Sequence, residues 1–119
     1  MKTMSNSTLS IQDSRQGDVT ILKLVGSIDA ATAAKLNTAL RKELGEGRFN
    51  LVCDMAGVDY ISSAGVGTLL AALKETRSGK GKLVLAGVQK PVLDIFDVLR
   101  FSPLFLFKDS SADALKEFG

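Results

Sequence analysis

The chain has 119 residues, of which 45% are hydrophobic and 24% charged, a composition typical of one soluble globular domain. Its 15 basic and 13 acidic residues are interspersed, and no apolar run reaches the ~18 residues of a membrane helix, so we expect neither nucleic acid nor a membrane as partner. The lack of histidine and the single cysteine exclude Ser-His-Asp and Cys-His nucleophiles, zinc sites built from His and Cys, and an internal disulfide. We therefore expect no metal or cofactor, and the polar start MKTMSNSTLS predicts a cytoplasmic location.

The N-terminal part predicts a short polar tail and a β-hairpin. Residues 1–7 are polar and are expected to be flexible, with one domain over residues 8–119. The stretches TLSIQ (8–12) and VTILKLVG (19–26) are typical of strands, joined through the irregular loop DSRQGD, in which Gly17 can turn. The second stretch is apolar on both faces, which indicates a central strand, whereas the first alternates and suits an edge.

Residues 29–47 predict an amphipathic helix followed by a buried strand. Ala33, Leu36, Leu40 and Leu44 recur at three- and four-residue steps. Asp29 is suited to cap the helix, and Gly45 or Gly47 is suited to end it. The apolar run FNLVCDM (49–55) predicts a buried strand, in which Cys53 is a small buried hydrophobic residue.

The rest of the chain alternates helices with strands. In VDYISSAGVGTLLAALK (58–74) a loop precedes a helix that begins at Ser62 or Ser63. The remaining elements are a strand over KLVLAGV (82–88), a helix with Pro91 in its first turn, a short strand over LFLF (104–107) and a helix over 109–118. The order β-β-α-β-α-β-α-β-α predicts a mixed α/β domain, with a mostly parallel sheet of five strands, four helices and an N-terminal antiparallel hairpin.

The Ser62-Ser63 pair stands where the first amides of a helix have no intrahelical partner. A serine can cap these amides, and a phosphorylated serine would place ~1.5–2 negative charges beside the positive helix end. The simpler interpretation is a cap alone, with Gly65 and Gly67 permitting close packing of the helix. The residues themselves leave both interpretations open.

Three short motifs in order resemble the STAS domain, in particular the small anti-sigma factor antagonists of bacteria. They are Ser62-Ser63-Ala64-Gly65-Val66-Gly67 after a strand, Gly26-x-Ile28-Asp29 followed by Thr32-Ala33, and Ile95-Phe96-Asp97 in the third helix. The similarity extends over residues 8–118. In three places the chain differs from the family pattern: Ser62 replaces an acidic residue, Ala64 replaces a hydroxyl residue, and Leu99-Arg100 replaces a pair of a small residue and glycine.

The resemblance implies a regulatory binding protein and not an enzyme. Its partners would be an anti-sigma factor that is also a serine kinase, and a serine phosphatase. Ser63 matches the phosphoacceptor, with Ser62 as second choice. Asp29 and Asp59 would be neighbours of the phosphate, and Gly65 and Gly67 would leave room for the partner.

Two other functions remain open at this stage. The same fold can serve as a non-phosphorylated scaffold or accessory subunit of a signalling or transporter complex, which the resemblance also allows. An enzyme would need a carboxylate pair such as Asp54 and Asp59 for general acid–base catalysis, and the spacing of these residues does not show that they converge.

Overall fold

Five strands lie side by side in the order in which they occur in the chain, β1-β2-β3-β4-β5. The computed structural model describes residues 8–118, so the predicted tail over 1–7 lies outside the described residues. β1 pairs with β2 in antiparallel orientation and all other pairs are parallel, which confirms the predicted sheet. The elements are β1 (Leu9–Gln16), β2 (Val19–Ile28), α1 (Ala30–Gly45), β3 (Asn50–Ile61), α2 (Ser63–Ser78), β4 (Lys82–Ala86), α3 (Lys90–Val98), β5 (Leu106–Lys108) and α4 (Ser111–Leu115), with 3₁₀ turns at Ser102–Leu104 and Lys116–Phe118.

The hairpin is tighter than the sequence predicts. In place of the irregular loop DSRQGD, β1 continues to Gln16, which pairs with Val19, and only Gly17 and Asp18 form the turn. Gly17 has a φ of +62°, the conformation that a two-residue turn with glycine first requires. The sequence-based strand ended too early because the last residues of β1 are polar. An edge strand that is exposed on both faces forms without alternating apolar side chains.

Each face of the sheet is covered by an apolar layer of its own. The larger cluster joins α1, α2 and α3 to the inner side chains of the strands, and it includes the fully buried Phe96. Phe96 contacts Phe105 and Phe107 edge to face, with ring centroids 5.2 and 5.5 Å apart. The smaller cluster places Ala114 of α4 against the other face. Within residues 8–118 no helix is long and apolar enough to cross a membrane.

β3 is longer than its apolar core suggests. The sequence predicts a strand over 49–55 and then a loop containing Asp59, but the strand continues to Ile61, so Asp59 lies in a strand and not in a loop. Two register shifts against β2 accommodate the extra length. Val58 and Ile61 are both fully buried although they are three residues apart, because the bulge between them adds one residue to the two-residue step that separates side chains on one face.

A buried carboxylate ties α1 to β2 and to the loop after α1. Glu43 is only 2% exposed, and its Oε1 accepts hydrogen bonds from Thr20 Oγ1 at 3.0 Å and Arg48 Nε at 2.7 Å. Burial alone would raise the pKa of Glu43. The hydrogen bonds from Arg48 and Thr20, with the positive charges of Arg48 and Arg15, outweigh burial and hold that pKa below its usual value.

The end of α3 keeps the shape that a glycine normally gives a helix end, but without the glycine. Arg100 has a φ of +64°, its amide donates to the Asp97 carbonyl at 3.0 Å, and the Phe101 amide donates to the Phe96 carbonyl at 2.9 Å. This is the Schellman pattern, in which the left-handed position is most often glycine. The Leu99-Arg100 pair therefore forms the usual glycine-type helix end and places an arginine in a strained conformation.

Candidate functional site

The N-termini of α1 and α2 lie next to each other at one edge of the sheet. Ile28 ends β2 and Ile61 ends β3, and these two residues are paired in register. The amide of Ser62 also donates to the Ile28 carbonyl at 2.7 Å, which fixes the entry to α2 against the entry to α1. Asp29 is the N-cap of α1, as the sequence predicts, and Ser62 is the N-cap of α2.

The two serines of the pair have different surroundings. Ser62 is partly buried, and its Oγ accepts a hydrogen bond from the Gly65 amide at 3.2 Å. Ser63 is the first residue of α2 and is exposed, and its hydroxyl makes no hydrogen bond to any of residues 8–118. The amides of Ser63 and Ala64 likewise have no acceptor in this part of the chain. The hydroxyl of Ser63 is thus open to another molecule, beside two unpaired donors.

The two carboxylates expected near Ser63 belong to the same edge of the sheet. Asp29 caps α1 by accepting a hydrogen bond from the Thr32 amide at 2.8 Å, and its own amide donates to Thr32 Oγ1 at 2.8 Å. Asp59 is exposed on β3, two residues before the strand ends, and accepts from Ser27 Oγ at 2.7 Å. Each carboxylate is therefore held in place by a partner on β2 or α1.

The two glycines of the motif differ in what surrounds them. Gly65 is buried, and a Cβ there would stand 2.6 Å from Ile28 Cγ2 and 2.8 Å from Ile61 Cγ1. The room that Gly65 leaves is thus filled by the ends of β2 and β3. Gly67 is exposed, and a Cβ there would meet no atom within 4 Å. The expectation that a partner approaches over a glycine rests on Gly67 alone.

Ser27 is a site residue that the sequence did not indicate. Its hydroxyl reaches Asp59 because the bulge in β3 pairs Ser27 with Tyr60 and turns the extra residue, Asp59, toward β2. No regular strand register predicts this contact. Asp54, considered with Asp59 for an enzyme, bonds locally instead, accepting from the Ala56 amide at 3.1 Å. Among residues 8–118 no three Cys, Asp or Glu side chains are grouped so that they could hold a metal ion.

Comparison with known proteins agrees with this geometry. The sequence model of the STAS domain matches residues 10–114. BtrV of Bordetella bronchiseptica, provisionally named an anti-sigma factor antagonist, is 32% identical over 95 residues, which are 80% of this chain and 82% of BtrV. The anti-sigma-B factor antagonist of Listeria monocytogenes is 30% identical over 86 residues, 72% of this chain and 75% of the relative.

Solved structures share the fold at lower sequence identity. The crystal structure of an anti-sigma factor antagonist from Mycobacterium paratuberculosis superposes with a TM-score of 0.86, at 18% identity and over 97% of both chains. The phosphorylated form of SpoIIAA, described as a Bacillus cell fate determinant, has a TM-score of 0.73 at 14% identity, over 92% of this chain and 100% of that one.

Proposed function

Because the chain belongs to the STAS-domain family, we propose that it is an anti-sigma factor antagonist that is switched off by phosphorylation of Ser63. The unphosphorylated form binds an anti-sigma factor kinase and thereby frees the sigma factor; phosphorylation ends that binding, and a serine phosphatase reverses it. The names of the two relatives support the antagonist function, and a structural neighbour has been solved in a phosphorylated form. The observation that carries the proposal is the exposed, unbonded hydroxyl of Ser63 at the start of α2.

The chain contributes only the acceptor to the phosphoryl transfer. Ser63 Oγ attacks the γ-phosphorus of an ATP held by the kinase, a new O–P bond forms, and the bond to the bridging oxygen of ADP breaks. The hydroxyl proton passes to a base of the kinase, and magnesium is bound with the ATP. Ser62 is a poorer acceptor in this proposal, because its Oγ is partly buried and bonded to the Gly65 amide.

The start of α2 can carry a phosphate without unfolding. The unpaired amides of Ser63 and Ala64 are donors in the same first turn of α2 as the Ser63 hydroxyl, and the positive end of the helix favours an anion there. We therefore expect phosphorylation to leave the fold intact and to shift the amide resonances of the first turn of α2.

Release of the partner follows from the charge. An interface that closes over a neutral hydroxyl must, after phosphorylation, either bury a dianion or separate. Burying an unpaired charge is costly, and a cost of only ~1.4 kcal/mol already weakens the affinity tenfold. The carboxylates of Asp29 and Asp59, at the same edge of the sheet, add repulsion for a phosphate on Ser63.

The experiment that tests the proposal uses three variants of one chain. Wild type, Ser62→Ala and Ser63→Ala are incubated with recombinant kinase-type anti-sigma factors of the source organism, ATP and magnesium, and phosphate is located by mass spectrometry. We expect one kinase to modify wild type and Ser62→Ala but not Ser63→Ala, which should stay bound to that kinase in ATP.

Two results would contradict the proposal. Phosphate found only on Ser62 would move the acceptor by one residue. A kinase-type anti-sigma factor that binds the chain tightly and never phosphorylates it would favour the scaffold function over a phosphorylation switch.

A further inference from the structure

The end of α3 combines exposed apolar side chains with two arginines. Val98, in the last turn of α3, is 76% exposed, the largest value among the large apolar residues of the described chain. Leu104, in the 3₁₀ turn that follows, is 42% exposed. Arg77 of α2 reaches this turn and donates from Nη2 to the Leu104 carbonyl at 3.0 Å. We call Val98, Arg100, Leu104 and Arg77 the α3-end surface.

Arg100 is held there against its backbone preference. A left-handed backbone is less favourable for an ordinary residue than for glycine, and strained residues of this kind concentrate at functional positions. Arg100 is exposed and forms no ion pair within residues 8–118, so the folded domain gains little from its guanidinium. Lys80 shares the strain, with a φ of +65°. Of these two residues, only Arg100 has an exposed apolar side chain, Val98, two residues away.

The charges of the surface indicate an acidic ligand. Arg77 and Arg100 contribute two positive charges. The carboxylates close to them in sequence have partners: Glu75 pairs with Arg41, Asp94 pairs with Lys90, and Asp97 accepts a hydrogen bond from Ser102 Oγ. Arginine is one of the residues most enriched at the energetic centre of protein interfaces. A segment with carboxylates and apolar side chains is complementary to the α3-end surface in both respects.

The α3-end surface is within reach of a partner that also covers Ser63. α2 is 16 residues long, about 24 Å at 1.5 Å per residue, and Arg77 lies in its last turn. A standard interface buries about 800 Å² on each partner, a patch about 32 Å across, so one partner can contact both ends of α2.

We propose that the α3-end surface binds an acidic, partly apolar segment of the same anti-sigma factor kinase that phosphorylates Ser63, with Val98 as the apolar anchor and Arg100 as the charge that selects the partner. The inference rests on the proposed function and extends it to the choice of partner. It also accounts for an arginine at a position where glycine would stabilise the fold.

Two matched substitutions test the proposal. Arg100→Gly and Lys80→Gly each remove one exposed cation and one residue with a left-handed backbone, but Lys80 lies in the loop after α2, where no apolar side chain stands within two residues of it. The probe is the purified kinase that phosphorylates Ser63 in the assay above, held in ADP so that no phosphoryl group can transfer. Dissociation constants are measured by calorimetry and stabilities by urea unfolding.

We expect Arg100→Gly to raise the dissociation constant about tenfold, and Lys80→Gly to stay within about twofold of wild type. The urea midpoints of both should equal or exceed that of wild type. Between about 50 and 500 mM NaCl, binding should weaken more steeply for wild type than for Arg100→Gly, because an exposed charge contact is screened.

A second variant keeps the test independent of backbone effects. Val98→Ser alters a side chain that is 76% exposed, so the fold should be unaffected while binding weakens about threefold or more. If wild type binds the kinase and both Arg100→Gly and Val98→Ser bind as tightly, the inference is overturned and the proposed function stands. If no kinase phosphorylates or binds wild type, the proposed function itself fails, and the inference fails with it.

Discussion

One position in the chain separates a serine that caps α2 from a serine that faces solvent. Ser62 bonds the Gly65 amide, whereas the Ser63 hydroxyl projects from the first helical residue. The acidic residue that the resemblance places before the acceptor would cap the same amide, because aspartate and serine are comparable N-caps. The replacement by Ser62 therefore preserves the helix start and removes one negative charge beside Ser63, the proposed acceptor.

Substitutions at Ser63 should separate the effect of side-chain charge on partner binding from the effect of side-chain shape. Ser63→Asp adds a carboxylate and Ser63→Asn a neutral group of the same size, and both residues are tolerated near a helix start. We expect Ser63→Asp to weaken binding to the anti-sigma factor kinase at least about tenfold more than Ser63→Asn does, as measured by calorimetry. Equal affinities for the two variants would show that charge does not drive release.

The buried carboxylate of Glu43 predicts a pH-dependent contribution to stability. Its pKa is lowered from 4.5 in the folded protein, so its stabilising effect is present above about pH 4.5 and is lost as the pH falls through the folded value. Glu43→Gln should lower the free energy of unfolding by about 1–3 kcal/mol at neutral pH, because the charged hydrogen bond to Arg48 is lost.

The difference between wild type and Glu43→Gln should narrow in urea unfolding at about pH 3, where the wild-type carboxylate is increasingly protonated. A difference that is constant with pH would assign the effect to packing. Arg41→Gln, which removes an exposed ion pair with Glu75, is the control and should change stability by less than about 1 kcal/mol at either pH.

At the scale of elements, the apolar periodicity of the sequence predicted the helices and strands that pack in the core. It missed the features that depend on local backbone geometry. The order of all nine elements and the cap at Asp29 follow from the sequence. The extension of β3 to Ile61 could not be predicted, because its bulges break the two-residue alternation by which strands are recognised. The contact between Ser27 and Asp59 depends on one of these bulges and was missed for the same reason.

The two glycines of α2 give a matched pair for the packing of this helix. Gly65→Ala would force a methyl group to 2.6 Å from Ile28, so α2 must move off the sheet, and we expect a loss of about 1–3 kcal/mol in urea unfolding. Gly67→Ala meets open space, and should raise stability by about 0.5–1 kcal/mol through helix propensity. A destabilised Gly67→Ala would show that this part of α2 is not the regular helix described here.

At the scale of the molecule, the single thiol reports on global unfolding. Cys53 lies in β3 with no exposed surface, and burial, with a smaller contribution from the charge of Asp54, raises its pKa to about 12. A thiol reagent should therefore label the native protein at least about 10³-fold more slowly than the urea-unfolded chain, with the rate set by opening of the whole sheet. Rapid labelling in buffer would indicate that β3 opens locally. Mass spectrometry of the labelled protein over time distinguishes local opening of β3 from opening of the whole sheet.

The strand order has a consequence for how the domain forms. Each strand pairs only with the strand before it and the strand after it in the chain, so no pairing must wait for a distant segment to return. On a ribosome, the hairpin can close first and every later strand can add to an edge that already exists. Nascent chains arrested after α2 should accordingly resist proteolysis over the hairpin and β3, whereas a fold with interleaved strands would remain sensitive until synthesis is complete.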